Sequence, residues 1–383
     1  MSNELSRRNF IRNSSATAVT VGLAGLAGCT SSLPFIGGGG DVGLDSYLFE
    51  PSFDALLDED ELEDDNELEE AEREHMAFRH VVPEGIYDNV DDLGTDYPVR
   101  RASDLRGRAG VAALDTDWAL EQEAEWYYEL STSYRRRTAT VDVQMVVGEF
   151  DTGTVVDNLE KWAEDQYGDN YDDEDNEEAF ESAGSEPGFE LYEVEEFAFG
   201  VSEDLLIQSR GDYPVDPVAV VEEAIATHEN ETNLWTDDDH GGELLAEYDE
   251  GDYVFGELHR PETVEAKLER DYDEGQRDNL DDENREEIEE NYEEQIEDWE
   301  SGLVGTTRSR SLDGDTIELH QVFLYETEGD TDSDALLKHV EANRDYNENW
   351  DTLEDYSISE EGRALILTGD VRARAESFSD SDR

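Results

Sequence analysis

The sequence predicts an α+β fold: two tandem repeats of a strand-helix-strand-helix-hairpin unit, with antiparallel or mixed sheets. Three observations carry this. The chain of 383 residues is 36% hydrophobic and holds 6 Trp, 17 Tyr and 13 Phe, enough to build packed cores. Short runs with apolar residues at every second position alternate with runs at three- and four-residue spacing, the periods of strand and helix. The second half also repeats landmarks of the first. Trp126 precedes Arg135-Arg136-Arg137 by the distance at which Trp299 precedes Arg308-Ser309-Arg310, and each pair is followed by a strand-like run.

Residues 41–96 read as an acidic, partly disordered stalk, with Leu56, Leu57, Leu62, Leu68 and Met76 sparsely placed among carboxylates. The first repeat spans residues 97–230. It opens with a strand at Val111–Leu114 and a helix at Trp118–Leu130. A strand at Thr138–Phe150, an Asp-Thr-Gly turn and a helix at Val155–Gln166 follow, the helix with Leu159 and Trp162 on one face. Two short strands close it, Leu191–Gly200 and Leu205–Ser209, and the helix Val218–His228 leads out.

The second repeat spans residues 231–383. It opens with a strand at Tyr253–Leu258 and a helix from Pro261. The strand Thr316–Tyr325, the helix Asp334–Arg344 and the strands Tyr356–Ser359 and Ala364–Thr368 complete it. An acidic helical insertion at 271–300 carries Leu280, Ile288, Tyr292, Ile296 and Trp299 as one apolar stripe, expected to dock on its own sheet rather than on a partner. From Thr138 to Leu258 the element order is β-α-β-β-α-β, which ferredoxin-like sheets share.

The charge is extreme. There are 27 Lys+Arg against 105 Asp+Glu, a net charge of −78, and the lysines are only Lys161, Lys267 and Lys338. Self-repulsion of this size opposes compaction in dilute buffer, whereas at molar salt the Debye length of ~3 Å screens it. Binding to nucleic acid is disfavoured, because that association rests on neutralising phosphates. A single cysteine, Cys29, excludes an intrachain disulfide.

The N-terminus reads Ser6-Arg7-Arg8-Asn9-Phe10, then an apolar run from Ala16 to Ala27, then Leu26-Ala27-Gly28-Cys29. The run is too short to span a bilayer, which takes ~20 apolar residues. A basic start, a short apolar middle and small residues at the end make a removable signal over residues 1–28. The Arg7-Arg8 pair resembles twin-arginine export signals, and the four residues ending at Cys29 look like a lipobox. With the acidic, lysine-poor composition, the chain is similar to the haloarchaeal twin-arginine-exported lipoproteins, a broad class that includes binding proteins. The resemblance implies cleavage before Cys29, a lipid on its sulfur, and a lipid-anchored address on the outer face of the cytoplasmic membrane. Residues 29–40, ending in four glycines, then serve as a flexible spacer.

Few motifs carry chemistry. His75 and His80 are five apart, not the four that a helical zinc pair requires. Asp330, Asp332, Asp334 and Glu341 match acidic positions of a calcium loop, but Ala335 stands where the glycine belongs, and an N-cap explains the same letters. Arg135/Arg137 and Arg308/Arg310 are spaced for one strand face. They are candidates for an anion-binding face in both halves, against the plainer reading of ion pairs with nearby carboxylates. Arg372/Arg374 share that spacing, and Arg100, Arg101, Arg106 and Arg108 form a further cluster. Asn230-Glu231-Thr232 is a glycosylation sequon.

No nucleophile elbow, phosphate loop or cysteine metal site is present, so no cofactor and no metal site are expected. The leading expectation is a non-enzymatic surface protein that binds a small anion, a glycan or an envelope protein. A hydrolase with its site between the repeats is the alternative, with Asp115 and Asp142 as candidate acids. A structural role with 271–300 as a docking arm is a third.

Overall fold

The computed structural model describes residues 44–53, 68–93, 104–112, 115–130, 137–167, 180–211, 215–230, 234–249, 251–272, 277, 280, 282–343 and 353–373. The chain divides into Met1–Val42 and Gly43–Arg383, and every described residue belongs to the second unit. The signal, Cys29 and the Gly-rich spacer lie outside the described residues.

Gly43–Arg383 is organised by one 12-stranded sheet in which every neighbouring pair is antiparallel. This corrects the expectation of two ferredoxin-like repeats with their own sheets. In chain order the elements are β1 (Leu68–Val81), α1 (Pro83–Asp88), α2 (Asp104–Ala109), β2 (Thr116–Leu130), β3 (Arg137–Gly148) and α3 (Thr152–Tyr167). Then come β4 (Glu181–Glu186), β5 (Phe189–Val194), β6 (Phe197–Val201), β7 (Leu205–Gly211), α4 (Pro217–Asn230), α5 (Asp239–Glu247), β8 (Tyr253–His259) and α6 (Val264–Asp271). The chain continues with α7 (Asp282–Gln295), β9 (Leu303–Asp313), β10 (Thr316–Tyr325), α8 (Ser333–Asn343), β11 (Leu353–Glu361) and β12 (Ala364–Arg372). Across the sheet the order is β11-β12-β10-β9-β8-β1-β2-β3-β7-β6-β5-β4.

One of the two middle strands, β1, pairs with β8 at His75↔His259 to Val81↔Tyr253. This pairing forbids the ferredoxin-like arrangement, since β8 lies three strands from β3 rather than beside the strands that precede it. Two further expectations fail with it. Trp118–Leu130, read as a helix, is most of β2, whose even positions Leu120, Gln122, Ala124, Trp126 and Tyr128 are buried while Glu121, Glu123 and Glu125 are half-exposed. That is the period of a strand with one covered face. Leu68–Val81, read as stalk, is the central strand β1, with Met76, Phe78 and Val81 buried. No strand forms at Val111–Ala112.

Directly opposed residues of antiparallel strands share a face, so the register defines two faces. The upper face carries Phe78 and His80 of β1, the even residues of β2, and Gly256 of β8. Here α4 packs on β6 and β7, and α5 on β9 and β10. Gly256 has no side chain for a steric reason: a Cβ there would collide with the Phe78 ring. On the lower face, α2 and α3 cover one end of the sheet through Leu105, Val155, Leu159 and Phe199. Helices α1 and α8 cover the other through Ile86, Leu336, Val340 and Phe323. Between them runs a row in register, Gln144, Glu121, Arg79, Phe255, Arg308 and Gln321, one residue from each of six adjacent strands and all polar but Phe255. The insertion forms α7, whose Tyr292 hydroxyl donates to Asp271 at the end of α6 (2.6 Å). Ile288, Tyr292 and Ile296 are half-buried.

Candidate functional site

A segment ahead of β1, Leu44–Phe53, crosses the middle of the upper face as a strap. Leu48 and Phe49 are fully buried, and Leu44, Tyr47 and Phe53 nearly so. Burying each large apolar side chain stabilises by about 1.5–3 kcal/mol. The backbone is held as firmly. Phe49 N donates to Gln122 Oε1 (3.2 Å) and Gln122 Nε2 donates to the Phe49 carbonyl (2.6 Å). Trp235 N donates to the Leu48 carbonyl (3.1 Å), and Ser52 N donates to both carboxylate oxygens of Glu223 on α4 (3.1 and 3.2 Å).

The Tyr47 ring is wedged between two neighbours. His228 of α4 stacks on it at 4.7 Å and Trp118 meets it edge-on at 4.5 Å, with His80 behind Trp118 at 5.4 Å. Burial, aided by Asp204, pushes the Tyr47 hydroxyl up to about 12. Burial pushes His80 down to about 4 and also lowers His228, which Asp204 and Glu229 partly oppose. The strap is therefore seated on neutral imidazoles.

Where the strap turns away from the sheet it forms one wall of a cleft of about 530 Å³. Glu50, Pro51, Ser52 and Phe53 line that side; Ala71, Arg73 and Trp126 form the floor; Leu234, Asp237 and Asp238 form the far wall. A β-bulge between Arg73 and His75 brings Arg73 onto the upper face opposite Trp126. Arg73 then bridges the walls, to Glu50 at 2.7 Å and to Asp238 at 3.2 Å. Asp238 is also the N-cap of α5 and accepts from His240 N and Gly241 N, both at 2.8 Å. Its carboxyl titrates below the ordinary range, because these amide bonds and Arg73 outweigh its burial. Asp237 accepts from Leu234 N (3.2 Å), and Phe53 stacks on Trp126 at 5.6 Å. The cleft thus holds three carboxylates against one guanidinium that is already engaged, so its unused capacity is mostly that of an acceptor.

The candidate residues read from sequence do not gather here. Arg135 lies outside the described residues. Arg137 is exposed at the start of β3, and its register with Tyr128 places it on the upper face. Arg308 and Arg310 share the lower face of β9. Arg308 Nε donates to Gln321 (3.0 Å), and Arg310 is buried with its guanidinium 5.6 Å from the Tyr253 ring centroid. Arg137 and the Arg308/Arg310 pair therefore lie on opposite faces of the sheet. Asn230, the last residue of α4, is exposed and donates its amide to the Ala226 carbonyl (2.8 Å). His75 and His80 face opposite sides of β1: His75 lies 3.5 Å from Glu257 while His80 is buried under Trp118. Asp332 caps α8, accepting from Ala335 N at 2.9 Å. Among the described residues no group of three His, Cys, Asp or Glu side chains is placed to hold a metal ion.

The acids proposed for a hydrolase are likewise apart. Asp115 stands at the turn before β2, beside Gly148, and Asp142 lies six residues from Gly148 along β3, about 20 Å at the rise of a strand. Sequence reasoning missed Glu50, Arg73 and Asp238. They come from three distant segments with no local pattern, and only Trp126 was marked, as a landmark of the repeat.

No family model matches the chain, and no curated protein does. Among solved structures, crystal forms III and IV of TP0453 are similar, at TM-scores of 0.35 and 0.36 and 8% identity. They cover 78% of this chain and 90% and 89% of theirs.

Proposed function

We propose that this chain is an exported lipoprotein, held on the outer face of the cytoplasmic membrane through a lipid on Cys29, that binds a hydroxyl-rich ligand such as a glycan fragment in the strap cleft. The observation that carries the binding reading is the cleft itself. Its volume of about 530 Å³ lies within the range of about 300–1,000 Å³ for small-ligand sites. Arg73 is neutralised by Glu50 and Asp238, so an anion would have to displace a carboxylate already in contact. The spare lone pairs of Glu50, Asp237 and Asp238 call for a ligand that supplies donors, as vicinal hydroxyls do. In the molar salt that the composition implies, attraction beyond a Debye length of ~3 Å is lost. Short hydrogen bonds then select better than charge.

The address rests on the Arg7-Arg8 signal and the lipobox at Cys29, and the glycine spacer suits display away from the membrane surface.

Melting the full chain in molar salt against mono- and oligosaccharides, organic amines and small anions tests the ligand class. Saturation at 100 times Kd adds about 2.7 kcal/mol, visible as a rise in Tm. A rise confined to saccharides supports the reading. A rise with anions alone, or with nothing, overturns it.

A further inference from the structure

The lower face carries a second feature, on the opposite side of the sheet from the cleft. Arg108 of α2 lies between two rings, its guanidinium carbon 4.6 Å from the Trp162 centroid and 4.6 Å from that of Phe197. Arg210 of β7, the direct cross-strand neighbour of Phe197, stands 5.8 Å from the same Phe197 ring. Trp162 meets Phe197 edge-on at 5.5 Å and Tyr167 edge-on at 6.0 Å, with Tyr167 half-exposed at the rim. Both guanidiniums thus lie within 6 Å of the Phe197 ring centroid.

Their neutralisation is what is unusual. In a chain with 105 acidic residues, among the described residues neither Arg108 nor Arg210 has a carboxylate oxygen within the 4.0 Å of an ion pair. Arg108 makes its polar contact with a neutral group, Nη1 donating to Gln208 Oε1 at 2.6 Å. Asp104 and Glu196 act on Arg108 from farther off, while burial and the charge of Arg210 both work against its protonated form. Arg73, Arg79, Arg260, Arg277 and Arg363 each contact carboxylates directly.

We propose that Arg108 and Arg210 form, over the Trp162 and Phe197 rings, a binding site for a small organic anion carrying a carboxylate or phosphate on an aromatic body. Two guanidiniums on the same Phe197 ring supply donors of the kind that suits a planar or tetrahedral oxyanion. The aromatic body is required by the solvent: chloride at molar concentration competes for charge alone, so affinity must also come from ring contact and burial. Arg108 is fixed by its stacking and by Gln208, so it is ordered before a ligand arrives, and Arg210, exposed, closes the second side.

The test is a titration of the full chain in molar KCl with phenyl phosphate, inorganic phosphate and phenol, read as quenching of tryptophan fluorescence. Phenyl phosphate is expected to saturate the signal, with the other two weaker by about tenfold or more. Arg210→Gln is expected to weaken phenyl phosphate by about tenfold, the loss of one charge-assisted contact, at unchanged Tm. Arg210→Lys should recover part of that loss, and Trp162→Phe should remove most of the quench. Equal binding of phenyl phosphate by wild type and Arg210→Gln overturns the proposal, as does phenol binding as well as phenyl phosphate, or no saturable binding of phenyl phosphate. Because the cleft lies on the other face, none of these outcomes bears on its ligand.

Discussion

Gln122 completes the backbone of Phe49 as a neighbouring strand would. Its amide accepts from Phe49 N at 3.2 Å and donates to the Phe49 carbonyl at 2.6 Å, both in the buried interior. Phe49 makes in addition a single bridge to Leu234, so the strap is tied to β2 by a side chain and to the segment before α5 by backbone.

Gln122→Ala removes both partners and leaves a buried N–H and a buried C=O unmade. Each such group costs about 1–3 kcal/mol. The variant should therefore lose roughly 2–6 kcal/mol, measured by denaturant melts in molar salt, with the lower end reached if water enters the space left behind.

Stability should fall in acid through His80. Its folded pKa of about 4 lies below the 6.5 of the exposed group, so between these values the unfolded chain takes up a proton that the folded chain refuses. The contribution is fully present above pH 6.5 and is lost as pH falls, at about 1.4 kcal/mol per unit, for a total of about 3 kcal/mol by pH 4. His228, also lowered by burial, adds in the same direction. Chemical melts from pH 7.5 to 4 check this, and His80→Phe should flatten much of the slope.

Arg363 joins the β11–β12 hairpin to α5. It reaches Glu243 at 2.7 Å, the Asp239 carbonyl at 3.0 Å and the Tyr325 carbonyl at 3.2 Å. Arg363→Ala should cost about 1.5–3 kcal/mol, the range for bonds to charged groups. Because the contacts are short and partly shielded, the loss should persist in molar salt, unlike that of an exposed pair.

Much of the local structure was legible in the sequence. The strand read at Thr138–Phe150 is found at Arg137–Gly148, and the helix read at Val155–Gln166 is found at Thr152–Tyr167. Each has an unbroken period and a turn beside it. The fold was not legible, because the pairings that define it join distant segments. β1 meets β8 across the whole first half of the chain. Its acidic spelling, Leu68-Glu-Glu-Ala-Glu-Arg-Glu-His, hides a strand whose charges find partners only in the fold, Glu72 and Glu74 with Arg260. β2 was misread because Ala119 and Tyr127 interrupt its alternation and give Trp118–Leu130 a helical look. The cleft could not be read at all, since Glu50, Arg73, Trp126 and Asp238 meet only once the strap is laid across β1 and β2.

Salt should decide whether the chain folds. With a net charge of −78, dilution from molar salt to 0.01 M lengthens the Debye range from ~3 Å to ~30 Å and restores the repulsion. Circular dichroism during stepwise dilution is expected to show loss of the sheet signal, reversed when salt is returned.

The cleft exists only if the strap is part of the folded body, and hydrogen exchange in molar salt tests that most directly. The amides of Phe49 and Trp235, bonded to Gln122 and to the Leu48 carbonyl, are predicted to exchange as slowly as those of β2, through global opening. Gln122→Ala should speed Phe49 by orders of magnitude relative to β2. Exchange of Phe49 within seconds while β2 stays protected would contradict the account, because the wall formed by Glu50 to Phe53 would then be detached and no cleft would remain.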